Sequence, residues 1–401
     1  MDKNKRLTVW LPVIIAASIA LGIFIGNHYL SISQGKKRSY SSGNKINAIL
    51  DIIDEQYVDT VSMSKLVEST IPKIFSELDP HSVYIPAEDA SVVNEELEGS
   101  FSGIGVSFNM QTDTILVISV ISGGPAEKAG LLPFDRIISI NDSIFSGKKK
   151  NQGEIMKTLR GAKNSTVKLG VQRGNSPELL YFDVTRGDVP VNSVDVSYEA
   201  AKGIGYIKVS KFARNTYNEF ITAIAKLKQA GCTSFVIDLR GNTGGYMDAA
   251  INMINEFMPE GRLIVYTEGK SFPRSDVYAN GTGTCKDAPI VVLTDEISAS
   301  ASEIFSGAIQ DNDRGTIIGR RTYGKGLVQT QMSLSDGSEM RLTIARYYTP
   351  SGRCIQKKYE MGNTDAYDQD IYNRYMHGEF DSADSIKMDD SLKYQRSEEH
   401  T

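Results

Sequence analysis

Residues 289–303 read PIVVLTDEISASASE. The apolar run from Pro289 to Leu293 is typical of a buried strand, and residues 303–310 have the pattern of a helix. The sequence therefore predicts a strand-to-helix turn that carries three serines, with Ser300 at its centre. Backbone N–H groups lack partners at such a turn and the helix dipole favours negative charge. A serine alkoxide or a tetrahedral oxyanion would be stabilised there.

Ser300 and Glu303 also fit a purely structural role. Ser-x-x-Glu at the start of a helix is a capping box, in which each side chain accepts a hydrogen bond from the other residue's backbone amide. Serine is also a favoured N-cap residue. On this segment alone, the capping role is the better interpretation.

A second segment shifts the interpretation toward chemistry. Residues 319–329 read GRRTYGKGLVQ and contain Lys325 between two glycines. Because glycine adds no side-chain bulk, Gly324 and Gly326 would let the lysine approach another part of the backbone closely. The combination of Ser300 with Lys325 makes a catalytic site the stronger hypothesis.

The span from about Ile46 to Gln356 resembles the carboxyl-terminal processing peptidases, also called tail-specific proteases. Besides the serine and lysine segments, the matching pieces are 78–82 (LDPHS), 101–106 (FSGIGV), 123–131 (GGPAEKAGL), 135–137 (DRI), 238–245 (DLRGNTGG) and 345–353 (ARYYTPSGR). Any one of these pieces would be weak evidence, but all of them occur in the order in which the family has them. The ordered set is specific for the family.

The pattern along the chain predicts an α/β peptidase core, in which helices cover a central sheet, with a PDZ-like β domain before it and a short N-terminal helical region. The predicted segments are a linker (28–45), the helical region (46–98), the PDZ domain (99–187), the peptidase core (188–358) and an acidic, loosely ordered tail (359–401).

Residues 7–26 form a nearly uncharged run of the length that crosses a bilayer as a helix. Three basic residues precede it, which predicts a cytoplasmic N-terminus over 1–6, a transmembrane signal anchor over 7–27 and an exported remainder. A cleaved signal peptide is the alternative. The expected location is the bacterial inner membrane, as a single-pass protein whose catalytic part lies in the periplasm.

Histidine does not supply an obvious catalytic base. The four histidines are His28 beside the anchor, His81 in the helical region, and His377 and His400 in the tail. This distribution argues against a Ser-His-Asp triad. No H-E-x-x-H sequence is present, which argues against a zinc peptidase of that type.

Lysine can act as the base instead if it is neutral near pH 7, and burial lowers a lysine pKa by penalising the ammonium. The resemblance implies Ser300 as nucleophile, Lys325 as general base and Gln329 as the residue that orients the lysine. Sequence alone leaves Ser298 and Ser302 open as alternatives. Gln329 would adjoin Lys325 on a helical turn, but on one extended strand the two would stand roughly 13 Å apart.

The resemblance also implies two binding elements built from backbone amides. The oxyanion hole would combine Ala301 with the turn that contains Gly244 and Gly245, in preference to the alternative that this turn is only a tight connection between strand and helix. In the PDZ domain, residues Gly103, Ile104, Gly105 and Val106 resemble a loop that binds a peptide's terminal carboxylate.

The predicted function is a serine endopeptidase that faces the periplasm, recognises protein C-termini through its PDZ domain and cleaves near them with a Ser/Lys dyad. One alternative is a catalytically silent PDZ scaffold that binds C-terminal tails. Another is a P-loop nucleotide-binding protein, because residues 319–325 satisfy G-x-x-x-x-G-K. Gly326, however, stands where a P-loop has Ser or Thr.

Composition limits the partners. A net charge of −5 gives no support to nucleic-acid binding. Three scattered cysteines suggest neither a disulfide framework nor a metal site. The expected partners are proteins with free, unstructured, apolar C-termini and the membrane, with self-association left open. No metal or organic cofactor is expected.

The C-terminus departs from the family's pattern. Relatives continue past an acid-rich insert into a glycine-rich β-segment, and residues 392–396 begin to resemble the approach to it before the sequence stops at Thr401. The expectation is a fragment or an altered terminus, because a sheet without its last strand would leave backbone groups unpaired.

Overall fold

The computed structural model describes residues 16–23, 42–111, 114–144, 152–382 and 385. The chain divides into two units, residues 1–69 and 70–401. The first unit contains a helical stretch over 16–23 (α1), α2 (Ser42–Gln56) and the start of α3 (Met63–Ser76), which ends in the second unit.

Most of the predicted anchor and linker lies outside the described residues; only 16–23 of the anchor and 42–45 of the linker are described. Across the described ranges, we find no helix with the length and apolar character that a membrane crossing requires.

The PDZ-like region contains an antiparallel six-stranded sheet in which β3, β4, β5, β7 and β8 follow one another in space and β6 pairs with β5. Its strands are β3 (Val106–Gln111), β4 (Thr114–Val120), β5 (Arg136–Ile140), β6 (Ser143–Ile144), β7 (Thr166–Gln172) and β8 (Leu180–Thr185). Helices α5 (Pro125–Ala129) and α6 (Gln152–Leu159) complete it. The alternating apolar residues of these strands form a separate core that includes Val117, Ile137 and Leu169, all fully buried.

A short two-stranded sheet lies at the two ends of the PDZ-like region. In it β2 (Ser100–Gly103) pairs antiparallel with β9 (Gly187–Pro190). The chain thus leaves and re-enters the rest of the second unit at neighbouring points, and the predicted boundaries at residues 99 and 187 fall at this pair.

The peptidase core is built on a five-stranded sheet whose order is β10-β11-β12-β15-β16. Its strands are β10 (Val194–Ala201), β11 (Ile204–Val209), β12 (Ser234–Asp238), β15 (Ile290–Thr294) and β16 (Thr316–Gly319). The last four are parallel, and β10 adds an antiparallel edge. Helices α7 (Thr216–Gln229), α8 (Met247–Asn255) and α9 (Ala301–Asp311) supply much of the apolar core, as parallel strands with helical crossovers require.

A second sheet stands beside this core and has the order β1-β18-β13-β14, with β17 pairing β18. Its strands are β1 (Val83–Ile85), β13 (Leu263–Glu268), β14 (Ser275–Tyr278), β17 (Leu327–Ser333) and β18 (Glu339–Tyr348). The predicted hairpin around residues 335–337 is β17–β18. The predicted fold, an α/β core of sheets and helices preceded by a PDZ-like β domain, is confirmed.

Two expectations need correction. The region 46–98 is not wholly helical. Strand β1 lies between α3 and α4 (Ala87–Glu98) and pairs with β18. The tail is not loosely ordered between 365 and 376, where α10 (Asp365–Asp368) and α11 (Asp370–Met376) form.

The tail helices are held by two buried side chains that composition does not reveal. Tyr367 is 3% exposed and Arg374 is 5% exposed. Arg374 donates to the carbonyl oxygens of Arg321 and Thr322 and pairs with Glu379 at 2.9 Å. Residues 386–401, which carry the expectation about an altered terminus, lie outside the described residues.

Candidate active site

Ser300 lies at the turn between β15 and α9, as the N-cap residue of the helix. Its backbone has φ 55° and ψ −113°, a combination that a residue with a side chain rarely adopts. Such strain persists only where the surrounding structure enforces it, and it is concentrated at functional sites. The turn therefore has the character of a site that presents a side chain at a sharp bend.

The other two serines of the cluster have structural contacts. Ser298 Oγ donates to the carbonyl oxygen of Leu239 at 2.8 Å, and Ser302 Oγ donates to that of Asn242 at 2.9 Å. Both serines are fully buried. Because each hydroxyl hydrogen is bound to a backbone carbonyl, the geometry favours Ser300 over the two alternatives that sequence left open.

Glu303 connects the serine turn to the lysine loop. Its buried carboxylate accepts hydrogen bonds from the backbone amides of Ser300 at 2.8 Å, Gly324 at 2.7 Å and Lys325 at 2.8 Å, and from the Thr322 hydroxyl at 2.7 Å. Burial raises the pKa of this carboxyl group, and the four hydrogen bonds oppose that effect. The bond that sequence interpreted as half of a capping box is thus one of four, and the wider role was missed.

Tyr347 makes a second connection between the same two segments. Its hydroxyl donates to the carbonyl oxygen of Lys325 and lies 3.1 Å from that of Ser300. The ring is 1% exposed, so the connection lies in the core. Tyr347 belongs to the ARYYTPSGR segment of the resemblance, but no local pattern marks it as part of the site.

Lys325 is partly buried in the loop that precedes β17. Burial lowers the pKa of its ammonium group, the charge of Arg341 lowers it further, and the carboxylates of Asp79 and Glu303 act in the opposite direction. The loop leads into a strand rather than into a phosphate-binding helix, which removes the P-loop alternative.

Gln329 does reach Lys325. The lysine Nζ donates to Gln329 Oε1 at 3.1 Å. The distance expected between Lys325 and Gln329 on one ideal strand does not apply, because Lys325 precedes β17 and the register of β17 against β18 shifts between Val328 and Gln329. Such a bulge redirects a side chain. No hydrogen bond joins Lys325 Nζ to Ser300 Oγ in the described structure.

The glycine turn packs directly on the serine turn. A Cβ atom added to Gly244 would lie 2.8 Å from the Ser300 Cβ and 3.1 Å from the Ala301 nitrogen, so only glycine fits there. The Gly244 amide donates to Asn242 Oδ1 at 2.8 Å and is therefore occupied. Among the described hydrogen bonds, the amides of Gly245 and Ala301 have no acceptor, and these two remain available to an oxyanion.

The PDZ-like region has a groove of about 210 Å³ between β3 and α6. It is lined by Phe101, Ile104, Gly105, Val106, Ser107, Phe108, Met156, Leu159 and Arg160. Of the four predicted peptide-binding residues, three line this groove. Gly103 instead ends β2, where it pairs with Gly187.

Sequence reasoning matched residues 78–82 to the family but did not place His81 at the site, where its backbone lies against Gln329. Gln329 Nε2 donates to the His81 carbonyl oxygen, and His81 Nε2 lies 2.6 Å from the Tyr367 hydroxyl. Burial and the charge of Lys325 lower the pKa of His81 to about 4, so its ring is neutral at pH 7. Within the described residues, no cluster of three or more His, Cys, Asp or Glu side chains has the geometry of a metal site.

Two family models match parts of this chain. A family model described as peptidase family S41 matches residues 203–365, and a model described as PDZ domain matches residues 102–195. A solved structure named photosystem II D1 C-terminal processing protease has 27% identity and a TM-score of 0.44, with 79% of this chain and 91% of that chain covered.

Two curated relatives are more similar in sequence. The carboxy-terminal processing protease CtpB of Bacillus subtilis (strain 168) is 35% identical over 318 residues, with 79% of this chain and 66% of that protein covered. A probable CtpA-like serine protease of Staphylococcus aureus (strain N315) is 33% identical over 365 residues, with 89% and 72% covered. This chain belongs to the carboxy-terminal processing serine proteases of peptidase family S41, with a PDZ domain before the peptidase core.

Proposed function

We propose that this chain cleaves protein substrates near their free C-termini through an acyl-enzyme on Ser300, with Lys325 as general base. The observation that carries the proposal is the shared carboxylate of Glu303, which ties the backbone of Ser300 to that of Lys325. The lowered pKa of Lys325 supports a neutral amine that accepts a proton.

The chemistry has two halves. As Ser300 Oγ attacks the substrate carbonyl carbon, its proton moves to the neutral amine of Lys325, and the amides of Gly245 and Ala301 stabilise the oxyanion. The lysine ammonium then protonates the leaving amine as the C–N bond breaks. A water molecule, deprotonated by the same lysine, hydrolyses the ester and regenerates Ser300. Lys325 Nζ and Ser300 Oγ, which share no hydrogen bond in the described structure, must come within hydrogen-bonding reach of each other before the first step, while Nζ keeps its hydrogen bond to Gln329 Oε1.

Recognition would use the groove of the PDZ-like region. An extended peptide would add as a strand beside β3, with its terminal carboxylate on the amides near Gly105 and its last apolar side chain against Met156 and Leu159. Gly105 has φ 76°, which helps to turn its loop.

The proposal further assigns the peptidase part to the periplasm, behind a signal anchor over residues 7–27. The support is the uncharged run itself and the three basic residues that precede it. The helical stretch over 16–23 lies inside this run.

The proposal is tested with the full chain and an unstructured protein substrate. The Ser300→Ala variant should reduce cleavage to background and should no longer react with a fluorophosphonate, because the attacking oxygen is gone. The Ser302→Ala variant is the matched control: it removes a buried hydroxyl two residues away, so it should lower Tm yet still be labelled. Wild-type cleavage by the Ser300→Ala variant would refute the proposal.

A further inference from the structure

The four residues Asp79 to Ser82 form a tightly bonded loop between α3 and β1. Asp79 Oδ1 accepts the backbone amide hydrogens of His81 at 2.9 Å and Ser82 at 3.0 Å, and Asp79 Oδ2 accepts the Ser82 hydroxyl at 2.5 Å. Asp79 is 9% exposed and Ser82 is 4% exposed. The carboxylate therefore determines the shape of the loop from inside.

The same two side chains attach the loop to β18 at one position. Thr343 Oγ1 donates to Asp79 Oδ1 at 3.0 Å, and the Thr343 amide donates to Ser82 Oγ at 3.0 Å. Thr343 is the register partner of Gln329 across the β17–β18 hairpin. The loop is therefore anchored directly opposite the residue that contacts Lys325.

The loop then reaches Gln329 itself. The carboxamide of Gln329 lies between the His81 carbonyl oxygen, to which Nε2 donates, and Lys325 Nζ, from which Oε1 accepts at 3.1 Å. A carbonyl oxygen can only accept a hydrogen bond. If the carboxamide were rotated by 180°, Gln329 Oε1 would face the His81 carbonyl oxygen and the Gln329 NH₂ group would face the Lys325 amine. The His81 carbonyl therefore selects one of the two carboxamide orientations.

We propose that the Asp79–Ser82 loop is a positioning element of the active site, which acts by holding the Gln329 carboxamide with its oxygen toward Lys325. The inference rests on the proposed function of Ser300 and Lys325. A neutral lysine amine that donates one hydrogen to Gln329 Oε1 has its lone pair directed elsewhere, and that lone pair must receive the Ser300 proton. Asp79 is accordingly a positioning residue that acts through Gln329.

A second contact restrains the loop from the opposite side. The His81 ring lies against Tyr367, whose hydroxyl is also 3.3 Å from Gln356 Nε2. Gln356 Oε1 in turn accepts the Gly326 amide at 2.8 Å. The loop is thus held between β18 and the tail helices, next to the segment that carries Lys325.

The test compares Asp79→Ala and Asp79→Asn with wild type, using the full chain and an unstructured protein substrate. Asp79→Ala should lower kcat about 10- to 100-fold, the size of effect that a small misplacement of a reacting group produces. KM should stay within about twofold, because the loop does not line the PDZ groove. Asp79→Asn retains one acceptor oxygen and the side-chain shape, so it should recover part of the lost kcat.

A double-mutant cycle separates positioning from general destabilisation. The charge of Asp79 also acts directly on the pKa of Lys325, so the labelling rate is compared at its high-pH plateau, where the amine is neutral in every variant. In a Gln329→Ala background, Asp79→Ala should change this plateau rate of fluorophosphonate labelling of Ser300 by less than about twofold, since its target is already absent. Asp311→Ala is the matched control: it removes another buried carboxylate, which accepts from Ser351 at 2.7 Å and pairs with Arg353 at 3.2 Å. Asp311→Ala should lower Tm, and it should change the labelling rate by the same factor in the wild-type and Gln329→Ala backgrounds.

Three outcomes are decisive. A wild-type kcat for both Asp79 variants, or an equal loss from Asp79→Ala with and without Gln329, would overturn the inference. If Asp79→Ala does not fold, Thr343→Val replaces it, because that variant removes only the hydroxyl bond to Asp79 and should lower kcat in the same direction. Cleavage by the Ser300→Ala variant would instead refute the proposed function. Failure of the proposed function can therefore be told apart from failure of the positioning role of Asp79.

Discussion

The carboxylate of Glu303 lies 2.8 Å from the backbone nitrogen of Lys325, which is 22 residues further along the chain. The same carboxylate accepts the backbone amide of Ser300, the N-cap residue of α9, so one buried side chain serves both the helix and the lysine loop. A helix cap and a catalytic arrangement are therefore compatible here, although they compete as interpretations of the sequence.

Replacing Glu303 with Gln should impair both activity and stability. The carboxamide can accept on one side only, so its NH₂ group would face amide hydrogens that now lack an acceptor. Each buried group left without a partner costs about 1–3 kcal/mol. We expect a lower Tm and loss of cleavage, measured by thermal unfolding and a peptidase assay. Glu296→Gln is the control, since Glu296 makes only a surface ion pair with Arg320 at 3.3 Å; unchanged Glu303→Gln activity would contradict the role.

Activity should rise with pH through the lowered pKa of Lys325. Below that pKa the amine is protonated and cannot accept the serine proton, and above it the neutral form is present. The measurement is the pH profile of kcat, which should be insensitive to chelators. Lys325→Met should abolish cleavage while Tm stays equal or rises, because it removes a charge that burial disfavours. A profile that falls over the alkaline limb from pH 7 to 9 would speak against a lysine base.

His81 should make stability fall as the pH is lowered from about 6.5 to about 4. Its folded pKa of about 4 lies below the ordinary value of 6.5, so the unfolded chain binds the proton more readily in this window. His81→Gln, which keeps a hydrogen-bonding group near Tyr367, should reduce the slope of Tm against pH there. Identical slopes for the two proteins would mean that the ring stays accessible to protonation when folded.

A substrate with a free apolar C-terminus should be cleaved faster than the same substrate with an amidated C-terminus. The reason is that the backbone N–H groups near Gly105 would bind the negatively charged carboxylate of a free C-terminus. An amidated C-terminus carries no such charge. Initial rates on the matched pair provide the measurement. Equal rates would leave the PDZ-like region a structural or gating role only.

A reporter fused after Asn44 should be active only if it is a type that functions in the periplasm, and the mature chain should retain Trp10. Both outcomes follow from an uncleaved anchor with basic residues on its cytoplasmic side. Reporter assays and N-terminal sequencing measure them. Recovery of a chain that begins near Asn27 would show a cleaved signal peptide instead.

Much of the secondary structure could be predicted because it depends on local patterns. The strand over Ile290–Thr294 differs from its predicted bounds by one residue at each end, and the helix over Ala301–Asp311 begins two residues earlier and ends one residue later than predicted. In contrast, β1 (Val83–Ile85) was not predicted. Three residues have no period to detect, and they form a strand only because β18 offers an edge.

By itself, the sequence determined most of the strands and helices, the presence of a PDZ-like region, a serine turn at the start of a helix and a glycine-flanked lysine, because each depends on residues that are near neighbours along the chain. Only the tertiary structure decided which of three serines keeps its hydroxyl away from backbone carbonyls. It also brought the His81 carbonyl to Gln329, 248 residues away. Contacts over such distances depend on how whole sheets and loops pack, and no local pattern of residues encodes them.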